Sequence, residues 1–412
     1  MSNRENVVVG LDIGTTKICA LAAEVGGGEL LNVVGFGQAR SEGIKRGVVV
    51  NIERTVNAIQ QAIRECELMC GVSIKEVYAG IAGHHIQGIN SEGMVTVHNN
   101  RTVSDEDVRR VIEAAQAISI PNDREVLHIL PQDFIVDEQD GVQNPLGMSG
   151  LRLEVKVHIV TCSATSGQNI VKSCNQAGLD VTDVVLEPLA SSQAVLSQDE
   201  RELGVVLVDV GGGTTDIAIF CGGSIVHTSV LAIGGDQLTR DISIGLSTPL
   251  GEAETLKHEH GVAMVDLVER DTMVQVPSVG GRKSRTLEKR VISEIIEPRF
   301  REIFEMVNLE IDKSCYRNVI ASGVVITGGS SLMTGVDDLA AEILQFPVRV
   351  GFPENITGLN EMIHSPMHAT GVGLLRYALG NGEQRHTPLF SGDQTMITRM
   401  GRRVREWMNE FF

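Results

Sequence analysis

Residues 205–220 read VVLVDVGGGTTDIAIF. An apolar run ends at Asp209, three glycines and two threonines follow, and an apolar run resumes after Asp216. This is the pattern of two buried strands joined by a turn. The glycines let backbone N–H groups turn inward as an anion cradle, and the threonine hydroxyls add donors. Residues 7–25, VVVGLDIGTTKICALAAEV, carry the same arrangement. Asp12, Gly14, Thr15, Thr16 and Lys17 stand there where the later stretch has Asp209, Gly211, Gly212, Gly213, Thr214 and Thr215. An Asp at each strand end can hold a magnesium ion, most readily through water. One glycine hairpin would say little, because such turns are common. Two copies at equivalent strand ends point to a phosphate site shared by two related halves.

The surroundings of the hairpins also repeat. After the first come a turn at Gly26–Gly28 and a third strand near 29–39. A helix over 51–69 follows, with Asn51 as N-cap and Gly71 as its stop, and then a strand over 76–81. After the second come a turn at Gly222 and Gly223, a strand to about 233, a helix around 236–246 and a strand over 324–327 ending in Gly328 and Gly329. A repeat this long and irregular is two large domains rather than a solenoid. Two segments interrupt the plan. Residues 84–162 predict a small α+β insertion whose helix opens at Ser104-Asp105-Glu106-Asp107, a capping-box-like start. Residues 236–319 predict a mostly helical insertion in which Pro298 should kink a helix or begin a new one.

Composition fits this plan. The chain has 412 residues, enough for two to four domains. Its 35 Lys and Arg against 53 Asp and Glu give a net charge of −18, which argues against a general nucleic-acid binder. The seven cysteines are scattered and odd in number, as expected of free thiols in a reducing compartment. Neither Cys66 and Cys70 nor the histidine pairs have the further ligands a zinc site needs. No apolar run is long enough to span a membrane, and the opening residues lack the features of a signal peptide.

Further stretches fall into a nucleotide site. Glu187 starts a helix, Gly234-Gly235-Asp236 precede another, and Glu254 and Lys257 lie one turn apart on a third. Gly328-Gly329-Ser330 end a strand, and Gly371-Val372-Gly373 lie in a last helix. In this order the motifs resemble the actin, Hsp70 and sugar-kinase superfamily. The late position of the first insertion narrows the resemblance, as do residues 128–150 (HILPQDFIVDEQDGVQNPLGMSG), GEAETLKHEHG, VPSVGGR, IIEPR and ENITGL. Together they resemble the FtsA family of bacterial cell-division proteins over nearly the whole chain. The implied fold is α/β and actin-like, with two duplicated domains around a nucleotide cleft. The implied division is 1–83 with 163–202 and 366–380 for domain 1A, 84–162 for the inserted subdomain 1C, 203–235 with 320–365 for 2A, and 236–319 for 2B.

The resemblance implies an ATP site with Mg2+. Asp12 and Asp209 would position the ion, and Lys17 and Thr214 would touch phosphate. Glu254 and Lys257 would contact the adenosine, with Gly328, Gly329 and Ser330 lining the adenine and ribose side. Glu187 matches the position that orients the attacking water in Hsp70-like members; ATP binding follows more firmly than rapid hydrolysis. The implied partners are the C-terminal peptide of FtsZ, further copies in head-to-tail filaments, downstream division proteins and an anionic membrane surface. Arg299, with Arg285 and Lys289, supplies charge for the FtsZ peptide in the 236–319 insertion. The implied location is the cytoplasmic face of the inner membrane at the septum.

Residues 381–396 read as a polar linker, and 397–412 as an amphipathic helix. At about 100° per residue, Ile397, Met400, Val404, Trp407, Met408, Phe411 and Phe412 share an arc of about 140°. Such a helix, about 24 Å long, is too short to cross a bilayer and would lie in its interface. Two other readings remain open to the residues: a small-molecule kinase or phosphatase of the same superfold, and a type IV pilus-type adaptor. Neither requires a terminal membrane helix.

Overall fold

The computed structural model describes residues 7–25, 30–98, 101–280 and 283–380. The Gly26–Gly28 turn, Arg282, the 381–396 linker and the whole 397–412 helix with its seven apolar residues lie outside the described residues.

Both hairpins form as the apolar runs dictate. Val7–Ile13, Lys17–Glu24 and Leu31–Arg40 make an antiparallel meander. It is extended by parallel pairing to Glu76–Ile81 and then to Asp180–Leu186. The second half repeats this order. Ser224–Leu231, Thr215–Cys221 and Val205–Val210 form the meander, and Val324–Thr327 and Val348–Val350 continue it in parallel. The first sheet gains a sixth strand, Ile356–Gly358, from late in the chain. The central strand Val205–Val210 is buried at every position, as a strand covered on both faces must be.

The helix after the first meander is Ile52–Cys70. Asn51 caps it by accepting from the Arg54 N–H at 3.0 Å, and Gly71 ends it in the left-handed region at φ 72°. Its buried face includes Ile59, Ile63 and Cys66 and packs on the first sheet. Between the two sheets lie Glu187–Val195 and Ala369–Gly380, which share an apolar interior with both meanders. They cross at backbone contact. A Cβ on Gly373 would sit 1.8 Å from the Ala190 carbonyl oxygen, so only glycine fits there.

The first insertion is a four-stranded antiparallel sheet in the order Gln87–Thr96, Arg152–Ser163, Arg124–Val136, Gln139–Val142. Helix Asp105–Ala115 covers it, opened by a reciprocal Ser104–Asp107 capping box. The second holds helices Gly235–Gly245, Leu250–His260 and Lys289–Lys313 with a small hairpin of Met273–Val276 and Arg285–Glu288. Pro298 does not begin a new helix: Lys289–Lys313 runs through it as one element. Proline removes one helical hydrogen bond. Burial of Ile292, Ile296, Phe300, Ile303, Phe304, Val307 and Ile311 along the face holds the turns on either side together. Among the described residues no disulfide forms, and five of the seven cysteines are buried. Among the described residues no helix is long and apolar enough to cross a membrane.

Candidate nucleotide site

The two hairpin turns face one another across a cavity of about 890 Å3, a size suited to a nucleotide-sized ligand. Their contact is intimate. A Cβ on Gly212 would lie 1.7 Å from the Thr16 hydroxyl, and one on Gly213 would lie 2.5 Å from the Thr15 hydroxyl. The glycines therefore do more than free N–H groups, because they make room for the threonines of the opposite turn. The Thr15 hydroxyl also accepts from the Gly47 N–H at 3.0 Å.

Nearly all the residues expected from the sequence line this cavity. Asp12, Gly14, Thr15, Thr16 and Lys17 come from the first half, and Glu187 from the helix between the sheets. Asp209, the glycines 211–213, Thr214, Gly235, Asp236, Glu254, Lys257, Gly328, Gly329 and Ser330 complete it. Thr215 and Gly234 do not line it. Thr215 is fully buried and donates its hydroxyl to the Ile233 carbonyl at 2.9 Å. Gly234 packs beneath the loop, where a Cβ would meet the Gly211 carbonyl oxygen at 2.6 Å. Both hold the cradle rather than face its contents.

The cavity floor concentrates carboxyl groups. Asp12 and Asp209 end their strands as the repeat requires. Asp209 accepts from the Ser191 hydroxyl at 2.8 Å and from the Thr370 hydroxyl at 3.4 Å. Burial pushes its carboxyl up to about 6 despite those bonds. Asp216, opposite Asp209 in the hairpin register, is pushed up to about 8 by burial and by Asp209. Burial and then Asp12, Asp216 and Asp209 raise Glu187 well above the ordinary carboxylate range. Burial raises Asp12 too, with Lys17 opposing. One oxygen of Asp216, Oδ1, is buried without a partner. A pocket of raised carboxyls with an orphaned acceptor fits a cation. Among the described residues no three potential ligands converge closely enough to bind a metal directly. The fit is therefore to a hydrated ion such as Mg2+, which keeps several of its waters.

Lys17 donates to the Met367 carbonyl at 2.6 Å, with its Nζ 3.2 Å from His368 Nδ1. Burial and that ammonium push the His368 imidazole down to about 3, so it stays neutral beside the lysine. Glu254 and Lys257 form one unit with Thr239. Lys257 Nζ lies 2.8 and 2.9 Å from the Glu254 oxygens, 2.8 Å from the Thr239 hydroxyl and 3.2 Å from the Gly235 carbonyl. Thr239 also donates to Glu254. Burial alone would raise Glu254, but Lys257 and the Thr239 bond bring it below its ordinary value. Ser330 donates to the Gly211 carbonyl at 3.2 Å.

Sequence reasoning missed Asp216, Ser191, Thr370 and the Met367–His368 corner. The antiparallel register was the available signal for Asp216, since a turn that starts at Asp209 sets that residue opposite it. Ser191 and Thr370 lie on the helices that Glu187 and Gly371 mark, though nothing singled out their hydroxyls; the Met367–His368 corner has no local signature. Of the expected partner-binding residues, Lys289 lines the cavity and Arg285 donates to the Leu246 carbonyl. Arg299 makes a forked pair with Asp241 at 2.6 and 3.1 Å and also donates to Glu302.

A duplicated sheet with opposed Asp-terminated hairpins, joined by crossing helices around one cavity, defines an actin-like fold. Solved structures agree on the fold. The PilM-PilN type IV pilus biogenesis complex aligns with a TM-score of 0.64 at 16% identity, covering 90% of this chain and 98% of that one. MreB5 of Spiroplasma citri bound to ADP aligns at 0.55 and 14% identity, covering 92% and 99%. Sequence relatives are nearer. Cell division protein FtsA of Pseudomonas aeruginosa is 50% identical over 373 residues, 90% of this chain and 89% of that protein. Cell division protein FtsA of Escherichia coli (strain K12) is 40% identical over 409 residues, 98% and 96% of the two. The family described as Cell division protein FtsA matches residues 206–373, and the SHS2 domain inserted in FTSA matches 83–161. The chain belongs to the FtsA family of cell-division proteins.

Proposed function

We propose that the chain is an ATP-binding, actin-like anchor that polymerises on the inner face of the cytoplasmic membrane and ties FtsZ to it at the division site. The observation that carries the nucleotide part is the pair of opposed hairpins, with Thr15 and Thr16 against Gly213 and Gly212 and four raised carboxyls beneath. The turns would hold phosphate through N–H and hydroxyl donors. Asp12 and Asp209 would hold water on a magnesium ion, whose charge would offset that of the phosphates. Lys17 would exchange the Met367 carbonyl for phosphate. The Glu254–Lys257–Thr239 unit would flank the adenosine, with Gly328–Ser330 opposite. Glu187 would orient a water, and hydrolysis would be slow at most.

Family membership supports the remaining parts. Filaments would use the 84–162 insertion against the next copy, a heterologous contact that does not close. The FtsZ peptide would dock on 236–319, with Arg299 as the principal charge and Arg285 and Lys289 as weaker ones; a peptide carboxylate would have to share Arg299 with Asp241. Residues 397–412 would provide the membrane contact. The division 1A, 1C, 2A and 2B remains the natural way to describe these parts. The pilus-adaptor and small-molecule kinase readings are not favoured, because relatives at 40–50% identity are cell-division proteins.

The test is calorimetry of Mg-ATP binding to the parent and to Asp209→Ala. The variant should bind at least about ten-fold more weakly, the equivalent of one lost charge-assisted interaction. Equal affinity in a folded variant would sink the assignment.

A further inference from the structure

The first insertion is bound covalently to the first half, leaving it after strand Glu76–Ile81 and returning into helix Ala164–Gln176. Its side chains nevertheless reach the second half. Three of its four strands meet the edge strand Ser224–Leu231. Asn90 donates to the Val226 carbonyl at 3.0 Å, and Gln132 donates to the Ile225 carbonyl at 3.1 Å. His158 Nε2 lies 2.9 Å from the Thr228 hydroxyl. Behind this contact His158 Nδ1 lies 2.6 Å from Asn90 Oδ1, its cross-strand partner.

Two further observations mark the contact as a built joint. The register of the edge strand skips Val226, because Ile219 faces His227 while Phe220 faces Ile225. That bulge is where the carbonyls of Ile225 and Val226 both accept amides from the insertion, and bulges commonly re-aim groups in this way. On the insertion side, Gly88 leaves space for the joint: a Cβ there would lie 2.5 Å from both the His158 ring and the Thr228 hydroxyl. His158 is 1% exposed and stays neutral, pushed down to about 3 by burial and by His227. A neutral ring with both nitrogens occupied suits a dry contact in the closed arrangement.

We propose that this joint is a clasp between the two halves that limits nucleotide exchange. The proposal rests on the nucleotide reading of the cleft. The phosphate turns approach each other closely inside the cavity, so separation of the halves would free the phosphates and speed a nucleotide's release. Because the insertion is tied to one half by the chain and to the other by hydrogen bonds, separation must break the clasp or distort the insertion. The edge strand ends at the same loop, since Leu231 pairs with Thr215 and the Ile233 carbonyl accepts the Thr215 hydroxyl. Strain at the clasp therefore reaches the phosphate turn along one strand.

The test is stopped-flow release of a fluorescent ATP analogue with Mg2+ from the full chain. Asn90→Ala with Gln132→Ala removes the two amides at positions that should not threaten folding. Gly88→Ala wedges the joint independently. Loss of two net hydrogen bonds corresponds to about ten-fold faster release. Hydrogen exchange at residues 224–231 should quicken in the same variants. A parent that binds nucleotide while both folded variants release it at the parent rate overturns the clasp alone. A parent that binds none overturns the nucleotide reading and the clasp with it.

Discussion

Replacing Asp209 by Asn should make the ligand-free protein more stable while weakening Mg-ATP binding. The carboxyl is buried and titrates near 6 when folded, against an ordinary 3.8. A raised folded value means that the folded state binds the proton more tightly than the unfolded chain does. The stabilisation this gives is complete below 3.8 and is lost as pH rises from there through about 6. Above that, the ionised Asp209 costs the folded state about 3 kcal/mol, an order-of-magnitude figure from the size of the shift. Asn keeps an acceptor for the Ser191 hydroxyl, removes the charge and relieves Asp216, which Asp209 helps to raise. Partial relaxation should leave a net gain of about 1–3 kcal/mol at pH 7.5. Urea unfolding with EDTA present, between pH 4.5 and 8, measures this directly. The parent should lose stability between pH 4.5 and about 6.5, and the variant should lose less over that window. Parallel pH profiles, or a destabilised variant at pH 7.5, would refute the argument that the floor of the cleft is strained by unneutralised charge.

Other positions give independent checks. Gly373→Ala forces a Cβ onto the Ala190 carbonyl, backbone against backbone, and should cost about 3 kcal/mol or more in urea unfolding. Glu254→Ala leaves the ammonium of Lys257, which is 9% exposed, without its carboxylate; a loss of about 3 kcal/mol is expected, together with weaker nucleotide binding by calorimetry. Trp407→Glu puts a charge in the middle of the apolar arc of 397–412 and should abolish flotation with anionic vesicles while ATP binding persists. Retained flotation would end the anchor reading of that segment.

The fold was legible because its signal is local and doubled. The apolar runs ending at Asp12 and Asp209 define strands, the glycine–threonine turns define hairpins, and Asn51 and Gly71 bracket the helix between them. Asp107 at the third helical position completes the capping box that Ser104 announced. What stayed hidden depends on packing between distant segments. Glu187 and Gly371 mark the helices that carry Ser191 and Thr370, but nothing local signals that these hydroxyls meet Asp209 or that His368 meets Lys17. Pro298 looked like a boundary because local preference there opposes a helix, yet its apolar neighbours on both sides share one core. Arg299 looked like free charge because Asp241, its partner, lies on another helix. Charge written in a sequence says nothing of whether the fold has already paired it.

The most direct measurement of the account is co-sedimentation of purified FtsZ with anionic vesicles. Many weak interfacial helices aligned along a filament bind far more tightly than one. FtsZ should come down with the vesicles only when the full chain and Mg-ATP are both present, and should stay in solution when the chain carries Trp407→Glu. Recovery of FtsZ at the same level without the chain, or with the Trp407→Glu chain, would contradict the claim that this protein ties FtsZ to the membrane.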